Sequence, residues 1–376
     1  MIVLATFFLS LAVILAAWSY LVYPAILKRL APAEAVPPRS EAPALSVEVV
    51  LSAADEREVI AGRVANLLAQ ETGTGYRIAV GCDGCRDATA ERARGAGDGR
   101  LRVVEFPARR GKAAVVNALV SESHADILVF TDANTRFEPN AVGNLLRPFA
   151  DPEVGAVCGR LLFDAGRSGA AEPEIAFWDR ESRLKEREGR LGVCLGANGA
   201  IYAARRELVV PLPEDTAMDD FLIPVRIAGT GRKVVFAGNA VAREDAPPDL
   251  RAEISRRFRL GVGAGRVLRE ETWLLRVRRH PLLSFAFLSR KAARWLAPVA
   301  AFAAAVAALG DPRTRGAGAV VLAGALLLCA TALARPRVGG VVGRLYYFGV
   351  MNVAIAAGVI AGLAGYRRPI WRRAAR

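Results

Sequence analysis

Histidine and cysteine are scarce in this chain, with two and five copies respectively among 376 residues. Five cysteines do not make a disulfide framework in a chain of this length. Cys82 and Cys85 form one C-x-x-C, which is typical of a redox pair or of half a zinc site. Neither a second pair nor a neighbouring histidine completes a zinc site, since the histidines are His124 and His280. We therefore interpret the C-x-x-C as a coincidence within a loop.

Two further absences narrow the class of protein. No G-x-G-x-x-G follows the first predicted strand, which argues against a dinucleotide-binding dehydrogenase. The net charge is +14, but the basic residues do not form a compact module with interleaved aromatic residues. We therefore expect no nucleic-acid partner. Much of the positive charge lies beside apolar segments, as on the cytoplasmic flanks of membrane helices.

The N-terminal apolar run predicts a transmembrane anchor over residues 1–27. Residues 2–27 carry no charge and are long enough to cross about 30 Å of hydrocarbon. A secretory signal fits poorly, because no basic region precedes the run and no clear small-residue cleavage site follows it. Lys28 and Arg29 follow directly, which predicts that the next domain lies in the cytoplasm.

The rest of the chain divides by composition. A linker rich in Pro and Ala is predicted at 28–44, an α/β domain at 45–250, and basic amphipathic or interfacial helices at 251–290. C-terminal transmembrane segments are predicted at 291–365 and a basic tail at 366–376. Within the α/β domain, strand–helix repeats predict a parallel sheet with ligands at the carboxyl ends of its strands. Three C-terminal spans would leave the basic tail outside, against the positive-inside tendency, and the sequence leaves open whether one segment is re-entrant or interfacial.

Three strand and helix ends in the α/β domain carry candidate ligands. The apolar strand predicted at 127–131 is followed by Asp132-Ala-Asn134, two oxygen ligands of the kind that Mg²⁺ or Mn²⁺ binds. An aspartate in this position also commonly caps a turn. Asp83 ends the second predicted strand, where a carboxylate can accept hydrogen bonds from a nucleobase or ribose. Lys112 opens the helix after the third strand, near the expected position of phosphates.

In this order the motifs resemble those of the family 2 glycosyltransferases, inverting enzymes that include cellulose, chitin and hyaluronan synthases. The resemblance covers about residues 45–265 and implies an α/β, Rossmann-like GT-A fold, here flanked by N- and C-terminal transmembrane helices. The matching segments are Ser52-Ala-Ala-Asp-Glu56, Asp83-Gly-Cys85, Gly111-Lys112, Asp132-Ala-Asn134, Gly196-Ala-Asn-Gly199 and Met218-Asp-Asp-Phe221.

The resemblance also implies a role for each matched residue. Asp220 is the expected catalytic base, although an acidic pair is equally typical of a solvated helix start. A metal, Mg²⁺ or Mn²⁺, is expected on Asp132 and Asn134. The residues expected at the nucleotide-sugar are Ala53, Glu56, Asp83, Lys112, Asp132 and Arg259. Those expected on the acceptor side are Gly196, Asn198, Asp219 and Arg256.

One departure from the family bears on the product. The family has Q-x-x-R-W where this chain has Arg256-Arg-Phe-Arg259-Leu260, so a stacking platform for sugar rings is missing. We therefore expect a single transfer or a short glycan, with a processive polysaccharide synthase as the alternative. A non-catalytic membrane scaffold is the second alternative, since the chain also departs from the family at Ser52, Asp55 and Cys85.

The predicted function is that of a membrane-bound hexosyltransferase. The expected donor is a nucleotide-diphosphate sugar carrying UDP, and the expected acceptor is a glycan or a lipid-linked intermediate of cell-envelope or exopolysaccharide synthesis. Membrane lipid is the other expected partner, and the expected location is the bacterial inner (plasma) membrane.

Overall fold

The computed structural model describes residues 1–32, 45–164, 171–245, 250–333 and 340–367. Its centre is a mixed eight-stranded sheet. The strands are β1 (Val47–Ala53), β2 (Tyr76–Asp83), β3 (Leu101–Phe106), β4 (Ile127–Asp132), β5 (Arg136–Phe137), β6 (Val154–Asp164), β7 (Tyr202–Arg205) and β8 (Lys233–Asp245). Their order in the sheet is β3-β2-β1-β4-β7-β6-β8-β5.

The first four strands confirm the predicted parallel arrangement. β1 pairs in parallel with β2 and with β4, and β2 pairs in parallel with β3. β1 and β4 are almost wholly buried, as expected of parallel strands that are covered on both faces. The helices α3 (Ile60–Leu68), α4 (Thr89–Gly95) and α5 (Lys112–Glu122) connect them.

The expectation of a parallel sheet is wrong beyond β4. β7 pairs antiparallel with both β4 and β6, while β6 pairs in parallel with β8. The chain passes through β5, α6 (Ala141–Leu146), β6 and α7 (Ala171–Arg190) before it forms β7. β7 then lies between β4 and β6 and runs in the opposite direction to both. The helix α8 (Asp219–Gly229) then leads to β8.

The first helix after β1 does not follow the strand directly. Asp55 has a φ of 56°, which turns the chain away from helical geometry. The Glu56 amide donates to Thr89 Oγ1 at 2.8 Å instead of capping a helix. The helical segment therefore begins at Ile60.

Two long apolar helices run antiparallel beside each other. The first comprises α1 (Ile2–Ala17), a π-helical turn (Trp18–Val22) and α2 (Tyr23–Leu30). The second comprises α10 (Pro281–Ala286), a π-helical turn (Phe287–Ala292) and α11 (Ala293–Leu309), so one helix continues across the boundary predicted between residues 290 and 291. Ile2–Leu30, Pro281–Leu309 and Tyr346–Leu363 are each long and apolar enough to cross a membrane.

The remaining helices pack around α9 (Leu250–Glu270). One face of α9 places Val262, Ala264 and Val267 in the core of the α/β domain. On the other face, a methyl group on Gly261 would lie 2.5 Å from the carbonyl oxygen of Ile355. Glycines therefore let α9 and α13 (Gly340–Leu363) approach to backbone contact. α12 (Arg315–Leu333) packs against α11 and precedes α13.

Much of α9 is therefore enclosed between the domain and α13. After α13 ends, the chain continues to Tyr366, whose ring centroid is 6.4 Å from that of Phe258, and to Arg367, whose Nε lies 3.8 Å from Oδ2 of Asp215. Residues 33–44 of the predicted linker and 368–376 of the predicted basic tail lie outside the described residues.

Candidate active site

Strand register brings three of the predicted site residues to one edge of the sheet. Ser52 pairs with Asp132, and Ala53 with Cys82, so Ala53, Asp83 and Asp132 end three neighbouring parallel strands. Ala53 is buried, and its carbonyl oxygen accepts from the Cys85 thiol at 3.6 Å. The carboxyl edge of β1, β2 and β4 is thus the first wall of the site.

Asp83 holds the loop before α5. Its carboxylate accepts hydrogen bonds from the backbone amides of Arg110 and Gly111, at 2.6 and 2.9 Å. Gly111 has a φ of 94°, a conformation that favours glycine, and it directly precedes Lys112. The carboxylate predicted to contact the nucleotide therefore also sets the position of Lys112.

Lys112 joins two of the predicted acids. Its Nζ lies 2.8 Å from Oδ1 of Asp132 and 3.1 Å from Oδ2 of Asp219. Burial acts to lower the pKa of Lys112, but the charges of Asp132 and Asp219 outweigh it and raise that pKa. The ammonium group is therefore charged, and it links the end of β4 to the start of α8.

The loop before β7 holds Asp220 in place. Gly199 N donates to its Oδ2 at 3.2 Å, and Ala197 N donates to its carbonyl oxygen at 2.7 Å. Burial and the adjacent charge of Asp219 raise the pKa of Asp220. A carboxylate with a raised pKa is suited to take up a proton near neutral pH.

Gly199 marks the point where these groups converge. A methyl group on its Cα would lie 3.4 Å from Oδ2 of Asp132, and 3.6 Å from both Oδ2 of Asp220 and Nζ of Lys112. The absence of a side chain here leaves space between the sheet edge and Asp220. The structure thus assembles, around one backbone position, three of the residues singled out from the sequence: Asp132, Asp220 and Lys112.

Two acceptor-side predictions occupy internal positions. Gly196 has a φ of 80°, and a methyl group there would meet the Phe221 ring at 3.0 Å. Asn198 is 2% exposed; its amide donates to the carbonyl oxygen of Gly159 at 3.0 Å and accepts from Lys185. Lys185 also donates to the carbonyl oxygen of Ala197 at 2.9 Å. Gly196 and Asn198 therefore shape the loop that holds Asp220.

The other predicted residues lie around this centre. Glu56 is buried at the turn after β1, and Asn134 is exposed two residues beyond Asp132. Arg256 forms a two-pronged ion pair with Glu253, at 2.7 and 2.9 Å. Arg259 is half-buried on α9.

Sequence reasoning missed Glu244. Thr135 Oγ1 donates to its Oε1 at 2.7 Å, three residues after Asp132. Burial, together with the charge of Asp132, raises the pKa of Glu244 to about 7. The available signal was its position near the end of the last strand, β8, which matches the position of Asp132 at the end of β4.

Sequence reasoning also missed a buried ion-pair network behind the loop at residues 195–199, which holds Asp220 and is called the acceptor loop here after the role expected of it. Arg290 and Glu188 are both fully buried and form an ion pair, and Arg290 Nη2 lies 2.6 Å from Oε2 of Glu181. Glu181 in turn pairs with Arg294. Tyr23 donates to Oε1 of Glu188 at 2.8 Å. The network ties α7 to both long apolar helices.

Glu188 also reaches the acceptor loop, because its Oε2 accepts from Leu195 N at 3.0 Å. The acidic positions on α7 at 181 and 188 are seven residues apart, a helical spacing that puts them on one face. That spacing was visible in the sequence, but the arginines that face it are about 100 residues away.

The chain is similar to known glycosyltransferases. A profile described as Glycosyl transferase family 2 matches residues 48–219. The succinoglycan biosynthesis protein ExoU of Rhizobium meliloti (strain 1021) is 37% identical over 100 residues, covering 26% of this chain and 29% of that protein. An N-acetylglucosaminyltransferase of Rhizobium leguminosarum bv. viciae is 24% identical over 239 residues, covering 58% of this chain and 55% of that protein. The chain thus spans about half or less of these curated relatives.

A solved structure matches over nearly the whole chain. Mannosyltransferase PcManGT from Pyrobaculum calidifontis, in complex with GDP-Man and Mn²⁺, superimposes with a TM-score of 0.67. The match covers 95% of this chain and 99% of that chain at 22% identity. At this identity the likeness establishes a shared fold.

Proposed function

We propose that the chain is a membrane-bound inverting hexosyltransferase of glycosyl transferase family 2, because the profile of that family matches residues 48–219 and the chain shares the fold of a solved mannosyltransferase. It transfers one sugar, or a few, from a nucleotide-diphosphate sugar to a glycan or lipid-linked acceptor of cell-envelope or exopolysaccharide synthesis. The observation that carries this proposal is the convergence of Asp132, Lys112 and Asp220 on Gly199.

The chemistry follows from that convergence. Asp220 takes the proton of the acceptor hydroxyl as the oxygen attacks the anomeric carbon. The new glycosidic bond forms while the bond from the sugar to the diphosphate breaks, and the nucleoside diphosphate leaves with the electron pair. Gly199 N keeps Oδ2 of Asp220 directed into this space, because it donates to that oxygen. Attack opposite the leaving group inverts the anomeric centre.

A divalent cation fits the end of β4. Lys112 occupies Oδ1 of Asp132, while the half-exposed carboxylate and the exposed Asn134 amide offer further oxygens. A hard cation commonly takes one or two protein oxygens and completes its shell with water and phosphate. Asp132 and Asn134 would hold it, and it would supply electrostatic stabilisation of the departing diphosphate.

UDP is the nucleotide we expect on the donor. Two lines of support differ here: several relatives are named N-acetylglucosaminyltransferases, whereas the matched mannosyltransferase was solved with GDP-Man. A direct assay decides between them. Membranes containing the chain are incubated with radiolabelled UDP-sugars and GDP-sugars, and transfer to lipid extract is measured with and without Mn²⁺. A lack of transfer from both classes of donor would contradict the proposed function. A long polymer as the product would favour processive synthesis over a single transfer.

The helix packing supports an active site on the cytoplasmic face. Met1 lies beside Gly310, so the antiparallel helices share a far end, and α12 packs back along α11 from that end. α13 runs beside α9 and ends near Asp215 of the α/β domain. In this arrangement α13 lies at the membrane–water interface and does not span the membrane. This removes the conflict between the positive-inside tendency and three C-terminal spans that are followed by a basic tail. Cysteine labelling in sealed vesicles tests it: positions 313 and 367 should be labelled from opposite sides.

The metal role has its own test. Asp132→Ala should weaken Mn²⁺-dependent nucleotide binding at least about tenfold, because it removes the strand-end carboxylate ligand. Calorimetric titration of UDP and of GDP in the presence and absence of Mn²⁺ measures this. Exposed Asp98→Asn, far from the sheet edge, is the matched control. Equal titrations for wild type and Asp132→Ala would count against the metal site.

A further inference from the structure

Three basic residues, Arg290, Lys291 and Arg294, lie close together in the second long apolar helix, and their partners differ. Arg290 pairs with Glu181 and Glu188, and Arg294 pairs with Glu181. Lys291 lies between them, half-buried. Among the residues that the structure describes, no carboxylate lies within 4.0 Å of its ammonium group. The two arginines are neutralised by α7, and Lys291 is not.

Lys291 faces the acceptor side of the site. Its Nζ lies 5.8 Å from the centroid of the Phe221 ring, and Phe221 directly follows the proposed base. The charge of Lys291 acts on Asp220, as does that of Lys185. The ammonium group is therefore close to the place where the acceptor hydroxyl is deprotonated.

The charge balance differs between the two sides of the site. Lys112 is matched by two carboxylates, Asp132 on the donor side and Asp219, which was expected on the acceptor side. Lys185 donates to the oxygens of Ala197 and Asn198 and lies near the Cys158 thiol and the Trp178 ring, while Lys291 contacts an aromatic ring. A buried or half-buried lysine amine that is not paired with a carboxylate is protonated more readily when an anion binds beside it, because the anion offsets the cost of charge in a medium of low dielectric constant.

The position of Lys291 indicates where that anion comes from. It lies in the π-helical turn Phe287–Ala292 of a helix that is apolar enough to span a membrane. We propose that Lys291 binds a phosphate group of a lipid-linked acceptor, with Lys185 adding to the positive field. This inference rests on the proposed function and specifies its acceptor: a lipid that carries a phosphate or diphosphate, with or without a glycan, rather than a neutral glycan.

Equilibrium binding of two matched probes tests the inference. The purified full chain in detergent micelles is titrated with farnesyl phosphate and with farnesol, in the presence of Mn²⁺ with UDP and then with GDP. The two probes share a tail and differ in the phosphate. Wild type should prefer farnesyl phosphate at least about tenfold, as expected for a charge-assisted contact. Lys291→Met should lose that preference, and Lys291→Arg should keep most of it.

A matched control separates a specific site from general surface charge. Lys28 is exposed near the end of the first long helix and contacts no site residue, so Lys28→Met should leave the preference unchanged. An equal loss in Lys28→Met, or an unchanged preference in Lys291→Met, would overturn the inference. Lys291→Gln repeats the test with a polar side chain, and the melting temperature of each variant verifies folding.

Donor binding distinguishes the two sources of phosphate. If Lys291→Met weakens nucleotide binding and spares farnesyl phosphate, the ammonium serves the donor diphosphate and the acceptor assignment is wrong. Failure of the proposed function alone would give a different result. The preference for farnesyl phosphate would still depend on Lys291, but no sugar would be transferred from a nucleotide-sugar. Transfer that depends on Asp220, without a phosphate preference, would overturn this inference alone.

Discussion

The two sides of the active site are built in different ways. The donor side is formed by the ends of neighbouring parallel strands and by backbone amides, as where Asp83 binds the amides of Arg110 and Gly111. The acceptor side is a loop supported by buried ion pairs with distant helices. The comparison indicates that the sheet edge, with the helix that Lys112 begins, positions most of the expected donor ligands, whereas the loop that holds Asp220 is also supported by the two long apolar helices.

A continuous series of contacts links the first apolar helix to the base. Tyr23 donates to Glu188, and Glu188 accepts from Leu195 N at the start of the acceptor loop. Four residues later Gly199 N donates to Asp220. The N-terminal helix therefore forms part of the support of the candidate active site.

Asp220→Asn is the sharpest test of the difference between the two sides. We expect turnover to fall by about 10²–10⁴-fold, since the amide cannot accept the hydroxyl proton. Binding of nucleotide with Mn²⁺ should survive, because the donor side is intact. Single-turnover transfer and calorimetric titration measure the two effects. Retained turnover would remove Asp220 as the base.

Arg290→Met tests the support of the acceptor side. It leaves Glu188 buried without its arginine, and breaking such a buried pair costs about 3–5 kcal/mol of unfolding free energy. Thermal unfolding in detergent measures the loss. The control is Arg57→Met, which breaks an exposed pair with Glu58 and should change little. A similar small effect in both variants would contradict a structural role for the network.

Gly199→Ala tests the space between the two sides. The methyl group fits at ordinary contact distances, so we expect an unchanged melting temperature but kcat/KM lower by about tenfold or more, because the reacting groups are displaced. Gly238→Ala, which also adds a methyl group at ordinary contact distance, is the control. Full activity of Gly199→Ala would show that the substrates do not meet there.

The pH dependence of turnover is the smallest expected effect. Because burial and Asp219 raise the pKa of Asp220, activity should fall on acidification at a pH above the ordinary aspartate range. Asp219→Asn removes the adjacent negative charge, so the acid limb of the kcat profile should move to lower pH. A limb that stays in place would show that another group controls it.

The donor side could largely be predicted from the sequence. Apolar strands with a period-two or continuous pattern end at Asp83 and Asp132, and Gly111-Lys112 opens a helix, so local order alone places these residues at one sheet edge. The same reasoning could not find Glu244, because it belongs to a strand about 100 residues later. Nor could it show that the amide of Asn198 is bonded internally.

The sequence by itself determined the apolar helices, the strand ends and the acids that they carry, because these depend on short-range periodicity. Only the tertiary structure decided that α13 lies along α9, that Arg290 is neutralised by Glu188, and that Lys291 faces Phe221 without a counter-ion among the described residues. Those relations join segments that are about 70 to 100 residues apart. Their energies come from desolvation and charge pairing, which exist only once the chain has folded.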